Sequence, residues 1–183
     1  MTNYNLERFT VLVVDDNRYM RQLLTMALKA LSVGQVRQAE HGGEAIEILK
    51  LMAQDPMKAG MMSVDVIFSN WQMSPVDGLM LLRWVRRAKE SPNRFIPFVM
   101  VTGYADPKRV AEARDMGVTE ILAKPFSVQG VAGRLQQVIE RPRQFVHTMT
   151  YFGPDRRRRQ QVFMDDDRRL LTDADPEVEI VHD

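Results

Sequence analysis

Val64–Gly78 reads VDVIFSNWQMSPVDG. Its apolar run, Val66-Ile67-Phe68, passes into Ser69-Asn70-Trp71, then Ser74-Pro75 and Asp77-Gly78. A short β-prone run bounded by turn residues reads as a buried strand that ends in a loop. In an open parallel sheet, ligands collect at the carboxyl ends of the strands. Asn70 falls at such an end.

The flanking chain repeats the same unit. Upstream, Thr10–Val14 is a β-rich run that stops at Asp15-Asp16-Asn17. Met20, Leu23, Leu24, Ala27, Leu28 and Leu31 follow at helical spacing, with Asn17 as the N-cap. A second strand is expected over Gln35–Ala39, and a helix after His41-Gly42-Gly43 carrying Ala45, Ile46, Leu49 and Met52. The loop Gln54–Ser63 holds Met57, Met61 and Met62, whose flexible thioethers are expected to cover core. Downstream, Asp77-Gly78 opens a helix with Leu79, Leu82 and Val85 inward and Arg83, Arg86 and Arg87 outward. Ile96–Val101 is the fourth strand, closed by Thr102-Gly103-Tyr104. Asp106-Pro107 is a strong helix start, cap then proline. Thr119–Leu122 is the fifth strand, Ala123-Lys124-Pro125-Phe126 a loop, and Ser127 caps a last helix with Val131, Leu135 and Val138. Five strand–helix units imply an α/β fold, a doubly wound five-stranded parallel sheet covered on both faces. Right-handed crossovers favour the flavodoxin-like strand order.

Composition narrows the class. The chain has 183 residues, 45% of them hydrophobic, which suits one domain with an appendage. A net charge of +1 gives no bulk attraction to nucleic acid. No cysteine is present, so neither disulfides nor thiolate metal sites arise. No apolar run approaches the ~20 residues that span a bilayer, and the N-terminus lacks a signal pattern. A cytoplasmic protein without membrane partners is expected. The division expected is a domain over 1–139 and a polar extension over 140–183. Glu140–Phe163 carries a net charge of +4 and Met164–Asp183 one of −6. That extension has too few apolar residues for a core of its own, so it is expected to be mostly irregular, partly disordered or packed on the domain or a partner.

Four loops bring polar residues to one sheet edge: Asp15-Asp16, Asn70, Thr102 and Lys124. Singly each has a plain explanation as a helix cap, a turn or a loop exit. Together they fall at the carboxyl edge of every expected strand but the second. The ordered set VLVVDDN, VDVIFSNWQMSPVDGL, VMVTGYA and ILAKPF resembles the receiver domain of response regulators, the CheY-like fold, over about Thr10–Ile139. The resemblance implies roles. Asp15 and Asp16 match the acidic pair that binds Mg²⁺, and the carbonyl of Gln72 a backbone metal ligand. Asn70 falls where the family has its phospho-accepting aspartate. Thr102 matches the hydroxyl that follows the phosphoryl group, and Lys124 the family's lysine, with Pro125 expected after a cis bond. An aspartyl carboxylate attacks phosphorus as a nucleophile, and a hard cation neutralises the transferring group.

Two departures change that expectation. A carboxamide keeps a carbonyl oxygen that can still ligate the metal beside Asp15, Asp16 and Gln72, but it is neutral and a poor nucleophile, so Asn70 should block phosphoryl transfer and weaken Mg²⁺. Ile121 stands where the family often has a Tyr or Phe ring that swings with the hydroxyl, leaving aromatic switching in doubt. Asn70 is either native or an engineered replacement of Asp in an otherwise working receiver. Ser74 stands where the family's pattern has its proline, which favours drift and a native Asn.

The resemblance implies a bacterial two-component or phosphorelay protein that acts by contact with a histidine kinase, a phosphotransfer protein or another signalling protein. The face built by the fourth helix, fifth strand and fifth helix, bearing Arg109, Arg114 and Arg134, is its expected contact surface and a possible homodimer face. An enzyme is not expected. In the extension, Phe152-Gly153-Pro154-Asp155-Arg156-Arg157-Arg158-Arg159 resembles tails of some stand-alone CheY-like proteins. Its arginines could grip nucleic-acid phosphates. A solvated tail docking to a protein surface is the preferred reading, because no DNA-binding fold is evident. A flavin site is excluded: carboxylates, not N–H groups with Gly, Ser or Thr, follow the first strand.

Overall fold

The computed structural model describes residues 5–55, 57, 63–104, 106–155 and 179–181. Its elements are β1 (Thr10–Val14), α1 (Arg18–Ala30), β2 (Gln35–Ala39), α2 (Gly42–Gln54), β3 (Val66–Asn70), α3 (Gly78–Arg87), β4 (Phe98–Thr102), α4 (Pro107–Asp115), β5 (Glu120–Ala123) and α5 (Val128–Glu140). Three short strands follow: β6 (Phe145–His147), β7 (Phe152–Pro154) and β8 (Glu179–Val181). The first five strands form one parallel sheet of order β2-β1-β3-β4-β5, the flavodoxin-like arrangement.

Alternation along the strands divides the core. Leu12, Val14, Ile67, Phe98 and Met100 face a layer with Ala45, Leu49, Leu81, Leu82 and Val85. Val11, Val13, Phe68, Val99 and Val101 face the other layer, with Leu24, Leu28, Val131 and Leu135. Side chains that alternate across a pleated strand produce this division. Each helix start is capped as its sequence dictates: Asn17, Asp77, Asp106 and Ser127 accept bonds from the first-turn N–H groups, and so does His41 through its ring nitrogen. Gly78 is required for packing, because a Cβ there would lie 2.2 Å from the Asn70 carbonyl oxygen. The fourth and fifth strands start one or two residues later than the sequence patterns predict, at Phe98 and Glu120.

Three expectations fail on burial. Met57 is exposed, while Met61 and Met62 lie outside the described residues. Leu23 joins Tyr19 and Met26 on the solvent side of α1, and Arg21 takes an inward place instead. Arg86, expected outside, is fully buried. Its Nε donates to the Gly117 carbonyl (3.0 Å) and its Nη1 to the carbonyls of Arg94 (2.7 Å) and Ile96 (2.8 Å). Its Nη2 reaches Thr119 Oγ1 (3.4 Å), and the guanidinium lies 5.2 Å from the centre of the Phe145 ring. No carboxylate partners it in this set; carbonyl dipoles hold the charge. Burial pushes its pKa down to about 9, opposed by Tyr151 and aided by Arg94, so it stays charged at neutral pH.

The lid over Arg86 comes from the extension. That segment is not wholly irregular: β6 and β7 form an antiparallel hairpin, and β8 pairs with the other edge of β6. Phe145, Tyr151 and Phe152 are buried. Phe95 meets the Phe145 and Phe152 rings at 5.0 and 5.5 Å, and the Arg94 guanidinium covers Phe152 at 3.9 Å. Gly153 lies against Gly117, so close that a Cβ on it would come within 2.8 Å of the Gly117 Cα. Thus Phe152-Gly153-Pro154 is strand β7, Asp155 follows it with its carbonyl held by Arg143, and Arg156–Arg159 lie outside the described residues. Where it is described, the extension packs on the domain, one of the alternatives expected for a segment without a core of its own. Three aromatics suffice when the surface they cover belongs to the domain.

Candidate functional site

The parallel register sets Asn70 beside Val101 and Thr102 beside Ala123, so β3, β4 and β5 end together. The β1 end supplies Asp15 and Asp16. Asp15 is buried and firmly placed: its Oδ1 accepts the Asn17 N–H (2.9 Å), and its carbonyl accepts Arg21 Nη1 (2.6 Å). Arg21 is itself paired with Glu40 at 2.8 Å. Sequence reasoning missed this role. An arginine among the inward positions of α1 was the available signal.

Lys124 reaches across from β5. Its Nζ donates to Asp15 Oδ2 (2.8 Å) and to Asn70 Oδ1 (3.0 Å). The Asn70 amide nitrogen donates to the Gln72 carbonyl (2.7 Å) and to Asp16 Oδ1 (3.3 Å). The neighbours dictate this orientation: an ammonium can only donate, and the Gln72 carbonyl and an ionised carboxylate can only accept. The Lys124–Pro125 peptide is cis, and so is Ser74–Pro75. Thr102 lies at the same edge, buried, but its hydroxyl bonds with Tyr104, accepting from its N–H at 3.0 Å and facing its carbonyl at 3.3 Å. The structure therefore brings together Asp15, Asp16, Asn70, Gln72 and Lys124, with Thr102 beside them and turned to its own loop.

The fit of a divalent cation can be judged from this donor set. Mg²⁺ takes hard oxygen ligands. Two carboxylates and the Gln72 carbonyl are available, but the Asn70 amide presents N–H groups to Asp16 and to that carbonyl. Turning the amide over would offer its oxygen to a cation and set its NH₂ against the Lys124 ammonium, donor against donor. No three His, Cys, Asp or Glu side chains converge among the described residues. The Asp15 and Asp16 carboxylates and the Gln72 carbonyl are the hard oxygen donors at this edge, and the Asn70 amide turns its NH₂ toward Asp16 and that carbonyl.

Ile121 is half-buried and lines a groove of about 520 Å³ with Val110, Arg114, Val118 and Arg134. Arg134 Nε donates to the Ile121 carbonyl at 2.8 Å, and Arg143 enters the groove from the extension. Arg109 lies elsewhere, between the rings of Trp71 and Tyr104.

Comparison with known proteins agrees with this geometry. Residues 11–136 match the response regulator receiver domain. The chemotaxis protein CheY1 of Helicobacter pylori is 35% identical over 131 residues, covering 70% of this chain and 95% of that protein. A CheY homolog of Campylobacter jejuni is 32% identical over 129 residues, covering 70% and 91%. Among solved structures, the chemotaxis response regulator CheY4 of Vibrio cholerae matches with a TM-score of 0.57 at 29% identity, covering 71% of this chain and 98% of that one. The receiver domain of the histidine kinase CKI1 from Arabidopsis thaliana, complexed with Mg²⁺ and BeF₃⁻, matches with a TM-score of 0.62 at 27% identity, covering 73% and 91%. The chain belongs to the response regulator receiver family: it carries a CheY-like receiver domain of two-component signalling.

Proposed function

We propose that this receiver signals by protein contact, with phosphoryl chemistry shut off at Asn70. The observation that carries this reading is the bonding of the Asn70 amide to Lys124, Asp16 and the Gln72 carbonyl at once. Asn70 stands at the acceptor position without a nucleophilic oxygen. Its NH₂ supplies the donors toward Asp16 and Gln72 that a cation would otherwise provide as charge, and its oxygen satisfies Lys124. The pocket closes on itself without a metal or a phosphoryl group. Mg²⁺ affinity is weakened by the lost carboxylate and by the turned amide. The partner is a histidine kinase, a phosphotransfer protein or another signalling protein of the cytoplasm, and binding selects the conformation that phosphorylation selects in other receivers.

The test is intact mass after incubation with Mg²⁺ and a small phosphodonor, on this chain and on Asn70→Asp. The expected result is one added phosphoryl group on Asn70→Asp and none on the unsubstituted chain. Addition to the unsubstituted chain would overturn the reading of residue 70. Addition to neither would show that the pocket lost its chemistry at other residues too, and would leave an adaptor with no latent acceptor.

A further inference from the structure

The loss of a ring at Ile121 leaves open how the pocket and α4 stay in step. Arg109 answers this from the other side of α4. Its guanidinium carbon is 5.0 Å from the centre of the Tyr104 ring and 5.9 Å from that of Trp71. Its Nη1 is buried with no hydrogen-bond partner among the described residues, and its Nε stands 3.7 Å from Asp106 Oδ2. The two ring faces, with the Asp106 carboxylate, are therefore the partners of this cation among the described residues, and a cation over a π-face is a favoured arrangement.

Both rings belong to the pocket loops. Trp71 follows Asn70 directly, is buried, and is pinned by its N–H to the Val101 carbonyl at 3.0 Å. Tyr104 is pinned by its N–H to the Thr102 hydroxyl at 3.0 Å. Tyr104 is 62% exposed, and the Arg109 guanidinium lies over its ring. Arg109 itself sits in the first turn of α4, whose start is set by Asp106, bonded to the Lys108 and Arg109 N–H groups at 3.1 Å each. A shift of either loop changes the seat of one cation, whose backbone is held in the first turn of α4.

We propose that Arg109 is the positioning residue that couples the Asn70 and Thr102 loops to α4, through its seat between Trp71 and Tyr104, in place of a ring on β5. The proposal rests on reading Asn70 and Thr102 as the receiver pocket, but not on whether that pocket accepts a phosphoryl group. Lysine keeps the charge over the rings and loses the planar fork; glutamine loses the charge altogether.

The experiment perturbs the pocket by Asn70→Asp, with no phosphodonor or metal added, and reads amide hydrogen exchange across residues 108–116. It is run in three backgrounds: Arg109, Arg109→Gln and Arg109→Lys. The indole N–H resonance of Trp71 reports that the perturbation reaches the loop. With Arg109 present, Asn70→Asp changes the exchange rates of α4 several-fold. With Arg109→Gln, the Trp71 resonance still moves but the α4 rates do not follow, and Arg109→Lys restores part of the response. A purely structural Arg109 would alter α4 rates equally with either residue at position 70. Equal α4 responses to Asn70→Asp with Arg109 and with Arg109→Gln, or no α4 response when Arg109 is present, would overturn the proposal. Failure of the phosphoryl reading shows only in the mass measurement, so the two fail separately.

Discussion

Arg86 shows how much one residue can decide. Its four hydrogen bonds tie α3 to the segment before β4 and to the turn between α4 and β5. Arg86→Met keeps the stem's volume and strands the carbonyls of Gly117 and Ile96 in a site sealed by Phe145. Each unsatisfied buried acceptor costs about 1–3 kcal/mol, so a loss of about 3 kcal/mol is expected in urea denaturation. The pH dependence follows from the direction of the shift. The folded pKa is lowered to about 9, below that of an exposed arginine, so the unfolded chain binds the extra proton only from about 9 up to the ordinary arginine range. Stability from this group rises with pH there, and is flat below it, where both states are charged. Denaturation midpoints of the unsubstituted chain and of Arg86→Met should run parallel from pH 6 to pH 8 by this group. Divergence in that window would mean that a second titrating group leans on Arg86.

At the scale of elements, the hairpin of β6 and β7 is held by surfaces that admit no substitution of shape. Gly153→Ala would force a Cβ to within 2.7 Å of the Tyr151 hydroxyl and 2.8 Å of the Gly117 Cα. Gly117 cannot yield by gaining a side chain, since its φ is +89°. Amide exchange over Phe145–Pro154 should therefore accelerate strongly in Gly153→Ala, with α1 and β1 unaffected. Phe152→Ala removes a ring that meets Phe95 and Arg94, and should cost about 3 kcal/mol of global stability. If both substitutions leave exchange in the hairpin unchanged, its docking contributes nothing.

For the whole molecule, the receiver and the hairpin share one buried seam at the amino-terminal end of β4 and β5, opposite the pocket edge. Ending the chain after Glu140 would uncover Arg86 and Phe95 together. The expectation is a lower thermal midpoint and increased binding of an apolar fluorescent dye, measured against the full chain. An unchanged midpoint would make the extension an ornament on the receiver. The pocket and the hairpin thus lie at opposite ends of the sheet, so the Asn70→Asp effects are expected in the loops at one end and the truncation effects at the other.

Strand and helix order, the helix caps and the residues at the pocket edge were legible in the chain, because hydrophobic period, cap chemistry and turn residues are local properties. Asp15, Asp16, Asn70 and Lys124 could be placed at one edge because a parallel sheet aligns its carboxyl ends. Other features needed the folded chain. Arg86 occupies a position that the helical period alone treats as polar and outward, yet backbone carbonyls from distant segments converge there and solvate the charge. Phe145, Tyr151 and Phe152 look stranded in a polar tail until the domain surface that receives them is built. The seat of Arg109 between two rings depends on loops more than thirty residues apart in sequence. Local pattern determined the scaffold and the pocket's members; contacts between remote segments decided which charges are buried and what the tail covers.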